Sequence, residues 1–251
     1  MADDNKPLKY ARYAVGEIVL VVVGILIALS INNWNEERKE RHKEIAYLER
    51  LQKNITTDLE QFELNFKFYT QVFDFGNLVL SYAEDEETLS ITSWKLLVSF
   101  FHASQIWPLI PTTSTFEELK SSGELSLIQN VELRNSLSYY HGGGIERYNN
   151  TIGINPAYRK MVRGLIPAKI QNYMWDNCHV TKGDSQFLKE CDPNITEEES
   201  HKILNDLITN SKLIEELRYY MSSIKVGLTT VKEQRILCKS MLDEIKNDLK
   251  K

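Results

Sequence analysis

Between Ile18 and Leu29 the chain reads IVLVVVGILIAL, with no polar side chain, and the apolar character extends from Tyr13 to Ile31, broken only by Glu17 and Ser30. A helix from Tyr13 to Trp34 is about 32 Å long at roughly 1.5 Å per residue, close to the roughly 30 Å hydrocarbon core of a bilayer. Tyr and Trp favour the membrane interface, and they stand at both ends of the run. The pattern predicts a transmembrane helix over 13–34, an N-terminal flank over 1–12 and a helical domain over 35–251. A secretory signal peptide is the rival reading: Lys6, Lys9 and Arg12 form a basic start, and Ala28-Leu29-Ser30 fits a small-x-small cleavage site. Against it, Glu17 sits beside the apolar run, and Ile31 and Trp34 continue the helical pattern where a polar cleavage region belongs. A buried core helix is the third reading, and no neighbouring segment has the all-round apolar character it would need as a partner.

Helical periodicity resumes at once. Ile45, Leu48, Gln52, Ile55, Leu59, Phe62, Phe66, Tyr69 and Phe73 follow a 3,4 spacing, the seam of a helix packed lengthwise on others and ending near Gly76 or a little beyond. Near the C-terminus Ile214, Leu217, Met221, Ile224, Leu228, Val231, Arg235, Cys238, Leu242, Ile245 and Leu249 keep the same spacing. The two long helices are expected to pair antiparallel, with shorter ones completing the bundle.

Those shorter pieces are marked by local signals. Ser93–Ser104 carries Trp94, Leu97, Phe100 and Phe101 and is stopped by Pro108 and Pro111. Ser114 followed by Glu117 has the capping-box spacing, and Gly123 is placed for a left-handed cap. Asn130 can cap a helix through Tyr140, and Gly142-Gly143-Gly144 then suggests a hinge or loop. Tyr148, Ile152, Tyr158, Met161, Leu165 and Ile170 suggest one or two more pieces, bent near Pro156 and Pro167. A polar loop is expected over Asp176–Pro193. Thr196 with Glu197, Glu198 and Glu199 starts a helix that breaks near Asn210-Ser211. Period-two alternation is sustained nowhere, so the fold class is all-α with essentially no sheet.

Composition narrows the function classes. The 251 residues are 42% hydrophobic and 26% charged with a net charge of −5, which excludes collagen-like, disordered and disulfide-scaffold chains. Mild acidity gives no field for nucleic acid. Lys6, Lys9 and Arg12 on one flank of the span face Arg38, Lys39, Arg41 and Lys43 on the other, so the count of positive residues barely favours either orientation. The second set alternates with Glu36, Glu37, Glu40 and Glu44, as on a solvated helix. Gly24 and Ala28 make a small-xxx-small pair of the kind that lets two spans approach, although small residues are also ordinary in a span.

GEIVLVVVGILIALSINNWNEERK (Gly16–Lys39), together with the block Ser114-Thr115-Phe116-Glu117-Glu118-Leu119-Lys120-Ser121-Ser122-Gly123 and the following Leu127-Ile128 and Leu133-Arg134, closely resembles a family of single-span membrane proteins of unknown function common in Bacteroidetes. The resemblance covers most of the chain. It implies an inner-membrane protein with the 1–12 flank in the cytoplasm and the large helical domain outside it, and it implies no activity.

Signals of chemistry are sparse. Cys178 and Cys191 bracket a loop and would form a disulfide worth roughly 3 kcal/mol in an oxidising compartment; free thiols remain an alternative. A zinc site would need His179 and one of Asp176, Asp184 or Asp192 beside them, at a spacing that matches no common structural site. Cys238 falls on the apolar seam as a small hydrophobe. The histidines at 42, 102, 141, 179 and 201 form no metal-binding pair, and the glycine triplet lacks the residues of a phosphate loop. The acidic patch Glu84–Glu87 reads as a solvated turn. No metal and no cofactor is expected, and no catalytic residue is nominated. One binding idea remains: Arg134, Tyr140 and His141 before the glycines, with Arg147, Tyr148, Arg159 and Arg163 after them, would line a cationic cleft for an anionic small molecule or peptide if the pieces face each other. The alternative has the tyrosines packing at bundle ends and the arginine heads reaching water. The expected partners are membrane lipid, through one helix, and another protein or a second copy of the chain. The sequence favours a protein-interaction or scaffold module of the envelope, with a small-ligand-sensing domain as the alternative.

Overall fold

The computed structural model describes residues 6–84, 91–152, 155–183 and 185–251, with side chains from Arg12 onward. Met1–Asn5, the Asp85–Glu87 part of the acidic patch and Asp184 lie outside the described residues. The described chain is all-α apart from one hairpin. A single helix, α1, runs unbroken from Lys6 to Ala83. Nothing interrupts it because no proline follows Pro7 in the segment and the one glycine after the apolar run, Gly76, is packed inside the helix bundle. The apolar run lies on this helix with its side chains exposed from Tyr13 through Trp34, and it is long and apolar enough to cross a membrane.

Beyond Glu44, α1 enters the core and pairs antiparallel with α9 (Ser211–Asp248). Arg41 reaches the Asp248 carbonyl at 2.5 Å, Arg235 binds Glu63, and Arg218 binds Glu84 at the far end. The expected pairing therefore holds, but both seams pass through unexpected positions. On α1 the buried line is Leu48, Leu51, Ile55, Asp58, Phe62, Asn65, Tyr69, Val72, Gly76 and Val79, and Leu59, Phe66 and Phe73 flank it half-buried. On α9 the line runs through Gly227, Gln234 and Asp248, where periodicity favoured Leu228, Arg235 and Leu249. Polar and small residues take core positions here because each meets a specific neighbour. Gly76 does not end α1; a Cβ there would sit 2.0 Å from the Met221 sulfur, so the missing side chain lets α9 come close.

Around this pair pack α2 (Ser93–Ala103), α3 (Ser114–Ser121), α4 (Val131–Tyr139), α5 (Ile145–Ile152), α6 (Ala157–Leu165), α7 (Ala168–Asn177) and α8 (Glu197–Ile208). Helix α2 is buried on nearly every side, between α1, α6 and α8. Its cap is Thr92, which accepts from the Lys95 amide. Asn130, Thr196 and Asn210 cap α4, α8 and α9 as their sequence positions imply, Thr196 with Glu199 in a full capping box. The Ser114 capping box does not form: the residue before α3 is Thr113 in helical conformation, and Ser114 lies inside the helix. Gly123 ends that helix in the left-handed region at φ 73°.

Two other expectations are corrected. The glycine triplet is no loose hinge but a wide helical turn, Tyr140–Gly144, that carries α4 into α5, with Gly143 at φ 137° taking up the kink. The loop after α7 contains an antiparallel hairpin, β1 (His179–Lys182) with β2 (Ser185–Leu188), in register from His179 opposite Leu188 to Lys182 opposite Ser185. Four-residue strands are too short to show a sustained alternation.

Candidate functional site

Three polar features organise the domain. The first is a buried line along α1. Asp58, only 4% exposed, accepts from the Thr112 amide and hydroxyl at 2.9 and 2.8 Å through one oxygen and from the Tyr140 hydroxyl at 2.9 Å through the other. Two turns on, Asn65 donates to the Trp107 carbonyl and accepts from the Tyr148 hydroxyl, and the Tyr69 hydroxyl accepts from the Trp107 amide. Asn149 of α5 brackets Leu109 by binding both its amide and its carbonyl. The proline-containing stretch Trp107–Thr112 cannot pair its backbone within a helix, so these side chains satisfy it instead. Between that stretch, Thr57 and Gln61 of α1, and Thr181, Gly183 and Gln186 of the hairpin lies an open groove of about 460 Å³. Asp58 lies at its floor with both oxygens engaged, so its carboxylate holds the loop. Burial, then the neighbouring Cys238 and Asp58, push the Tyr140 hydroxyl far above its usual range, and burial pushes the Cys238 thiol up to about 12. Neither ionises near neutral pH.

The second feature is an arginine pair. Arg159 and Arg163, one turn apart on α6, both reach Ser104 at the end of α2: Arg159 donates to its carbonyl at 2.6 Å, and Arg163 Nε to its hydroxyl at 2.9 Å. The Arg163 guanidinium stacks over Phe101 at 3.9 Å and Trp175 at 5.0 Å. Burial first, and the adjacent Arg159 second, lower the Arg163 pKa to about 9. Close by, His102 binds the Lys189 carbonyl through Nε2, and burial lowers its pKa to about 4.

The third is the docking of the central block onto α1. Phe116 and Leu119 are buried, while Glu118 takes both Arg50 nitrogens, at 3.1 and 2.5 Å. Tyr47 donates to Glu124 at 2.7 Å, and Lys43 binds the same carboxylate. The block thus secures the first turns of α1 that enter the core.

Of the seven residues of the expected cleft, the structure brings Arg159 and Arg163 together on Ser104, while Tyr148 is buried against Asn65. Tyr140 is buried at Asp58, and His141 stacks on Phe116 at 4.4 Å with burial lowering its pKa to about 4. Arg134 caps the Ile128 carbonyl at 2.8 Å, and Arg147 is exposed on the far side of the glycine turn. Along the apolar run Glu17, Gly24 and Ala28 are exposed together with Tyr13 and Trp34. Cys178 and Cys191 are joined in a disulfide with Cα atoms 5.0 Å apart, which leaves neither thiolate as a zinc ligand, and the described residues contain no cluster suited to a metal ion. Around the bridge the Trp94 indole donates to the Cys191 carbonyl and Gln71 brackets Leu188, so the hairpin is tied to α1 and α2. Replacing both cysteines with Ser is expected to cost about 3 kcal/mol for this loop length, read as a lower urea midpoint with a slope that rises slightly as the unfolded chain loses its cross-link.

Residues such as Asp58, Asn65, Ser104 and Asn149 were not singled out by sequence. Their only signal is a polar side chain at a seam position, Asp58 and Asn65 standing seven residues apart on α1.

No curated protein and no solved structure matches this chain. Residues 17–158, more than half of the chain, match a family of unknown function, DUF6090, and the chain belongs to that family.

Proposed function

We propose that the chain is a single-pass protein of the bacterial inner membrane, anchored over 13–34 with its helical domain in the periplasm, and that it acts by contact with another protein as a scaffold or accessory subunit. The observation that carries this reading is the unbroken α1. One helix presents an exposed apolar stretch of membrane length and then becomes the central spine of the bundle, so the domain is held on a rigid stalk. The disulfide supports an oxidising compartment, since such bonds persist outside the cytoplasm. Exposed Tyr219, Val226 and Ile236 on α9 offer apolar contact area on the outside of the domain.

Orientation is tested by an Ile110→Cys variant, placed where the native side chain is 84% exposed. A membrane-impermeant thiol reagent should label it in spheroplasts, and labelling only after lysis would overturn the periplasmic placement. The contact reading is tested by capture of the tagged chain from cross-linked native membranes. It expects a reproducible partner in stoichiometric amount, and its repeated absence removes the scaffold assignment.

A further inference from the structure

We infer that Arg159 and Arg163 form a binding site for a small oxyanion, the carboxylate or phosphate group of a soluble ligand. This goes beyond the contact role, which needs no ligand. The two guanidiniums converge on one residue, Ser104, and among the described residues neither forms an ion pair. Binding to the end of α2 accounts for one cation, because the C-terminus of a helix is the negative end of its dipole. It does not account for two. Arg163 keeps a buried Nη2 with no partner, although its Nε is bonded and its face is stacked on aromatic rings. Gln105, next in the chain to Ser104, is 2% exposed with its Nε2 also unpartnered.

The unpartnered Arg163 Nη2 and Gln105 Nε2 are both donors, and the two guanidiniums carry charge of one sign. The depressed pKa values of Arg159 and Arg163 follow from burial, and no carboxylate offsets it. Buried donors without acceptors are rare in native proteins and call for a missing partner. A planar fork of N–H groups is the arrangement that recognises carboxylate and phosphate. A lipid headgroup is excluded by distance under the proposed anchoring: Tyr69, level with Arg159, lies 35 residues beyond Trp34 on α1, about 52 Å along the helix axis.

The test is thermal melting of the purified full-length chain in detergent, in phosphate, acetate or chloride at constant ionic strength. The expected result is a rise of roughly 3 °C or more in phosphate or acetate over chloride. A rise in phosphate alone assigns a phosphoryl group, and a rise in acetate alone assigns a carboxylate. In Arg163→Gln and Arg159→Gln the anion-dependent rise should vanish. Where a Gln variant does not fold, Arg163→Lys replaces it, and the rise should shrink because a point charge cannot fork. Equal melting in all three salts, or a rise undiminished in the variants, overturns the proposal. A lower Tm in the variants that is the same in every salt assigns the arginines to capping α2 alone and also overturns it.

Discussion

Asp58→Ala is expected to destabilise the domain by about 4 kcal/mol, more than any exposed substitution, although the removed side chain is small. The loss comes from three donors left without an acceptor: the Thr112 amide, the Thr112 hydroxyl and the Tyr140 hydroxyl all end on this one carboxylate. Each buried donor stranded in this way costs about 1–3 kcal/mol, and the removal of a buried charge that holds its neighbours lies at the upper end of such effects. For a domain of this size the change corresponds to a fall in Tm of roughly 8–16 °C. Thr112→Val leaves the first Asp58 oxygen bonded to the residue's amide and should cost about 1 kcal/mol, whereas Tyr140→Phe strands the second oxygen and should cost about 2 kcal/mol. Because all three residues share one network, the Asp58→Ala, Tyr140→Phe double variant should lose less than the sum of the two single losses. Strict additivity, measured by denaturant unfolding, would show that the network is not the source of the effect.

Acidification is expected to weaken the fold well above the range in which carboxylates protonate. His102 has a folded pKa lowered to about 4 by burial, against an unfolded value near 6.5. Between those values the unfolded chain binds the proton that the folded chain refuses. Stability is therefore fully present above about pH 6.5 and falls as pH drops towards 4. The shift corresponds to about 3 kcal/mol for His102 alone. His141, lowered to about 4 by its burial against Phe116, acts in the same direction. Unfolding midpoints measured from pH 7.5 to 4.5 should fall steadily, and His102→Gln should flatten that slope while Glu118 and Glu124, whose pKa values are lowered by Arg50 and Tyr47, act only below it. An unchanged slope in His102→Gln would show that the buried imidazole titrates normally.

The two long helices, their antiparallel pairing and most of the caps are legible in the sequence because apolar spacing and capping residues are local signals. The line of burial is not. A hydropathy pattern assigns Leu59 and Phe66 to the seam over Asp58 and Asn65, because it scores each residue alone. The polar pair is buried only because Trp107–Thr112, more than forty residues away in the chain, brings donors and carbonyls that need them. The same reasoning applies to Arg159 and Arg163, whose proximity to Ser104 depends on α6 packing against α2. His141 and Tyr140 are neighbours in sequence, yet they point to different partners across the kinked turn, which no spacing rule conveys. The central block shows the opposite case. Its resemblance to a family pattern was plain from sequence, and its physical meaning, a clamp of Glu118 and Glu124 on Arg50, Tyr47 and Lys43, required the fold.

Because α1 is continuous, the apolar stretch and the core share one helical phase. Each residue added between Trp34 and Glu40 would turn the bundle by about 100° about the stalk and lift it by about 1.5 Å without altering a single core contact. Under the proposed anchoring, the exposed stretch from Asn35 to Glu40 therefore acts as a dial: its length would fix which side of the domain faces a neighbour in the membrane. The same insertion between Leu48 and Val79 would carry the seam off α9 and dismantle the bundle.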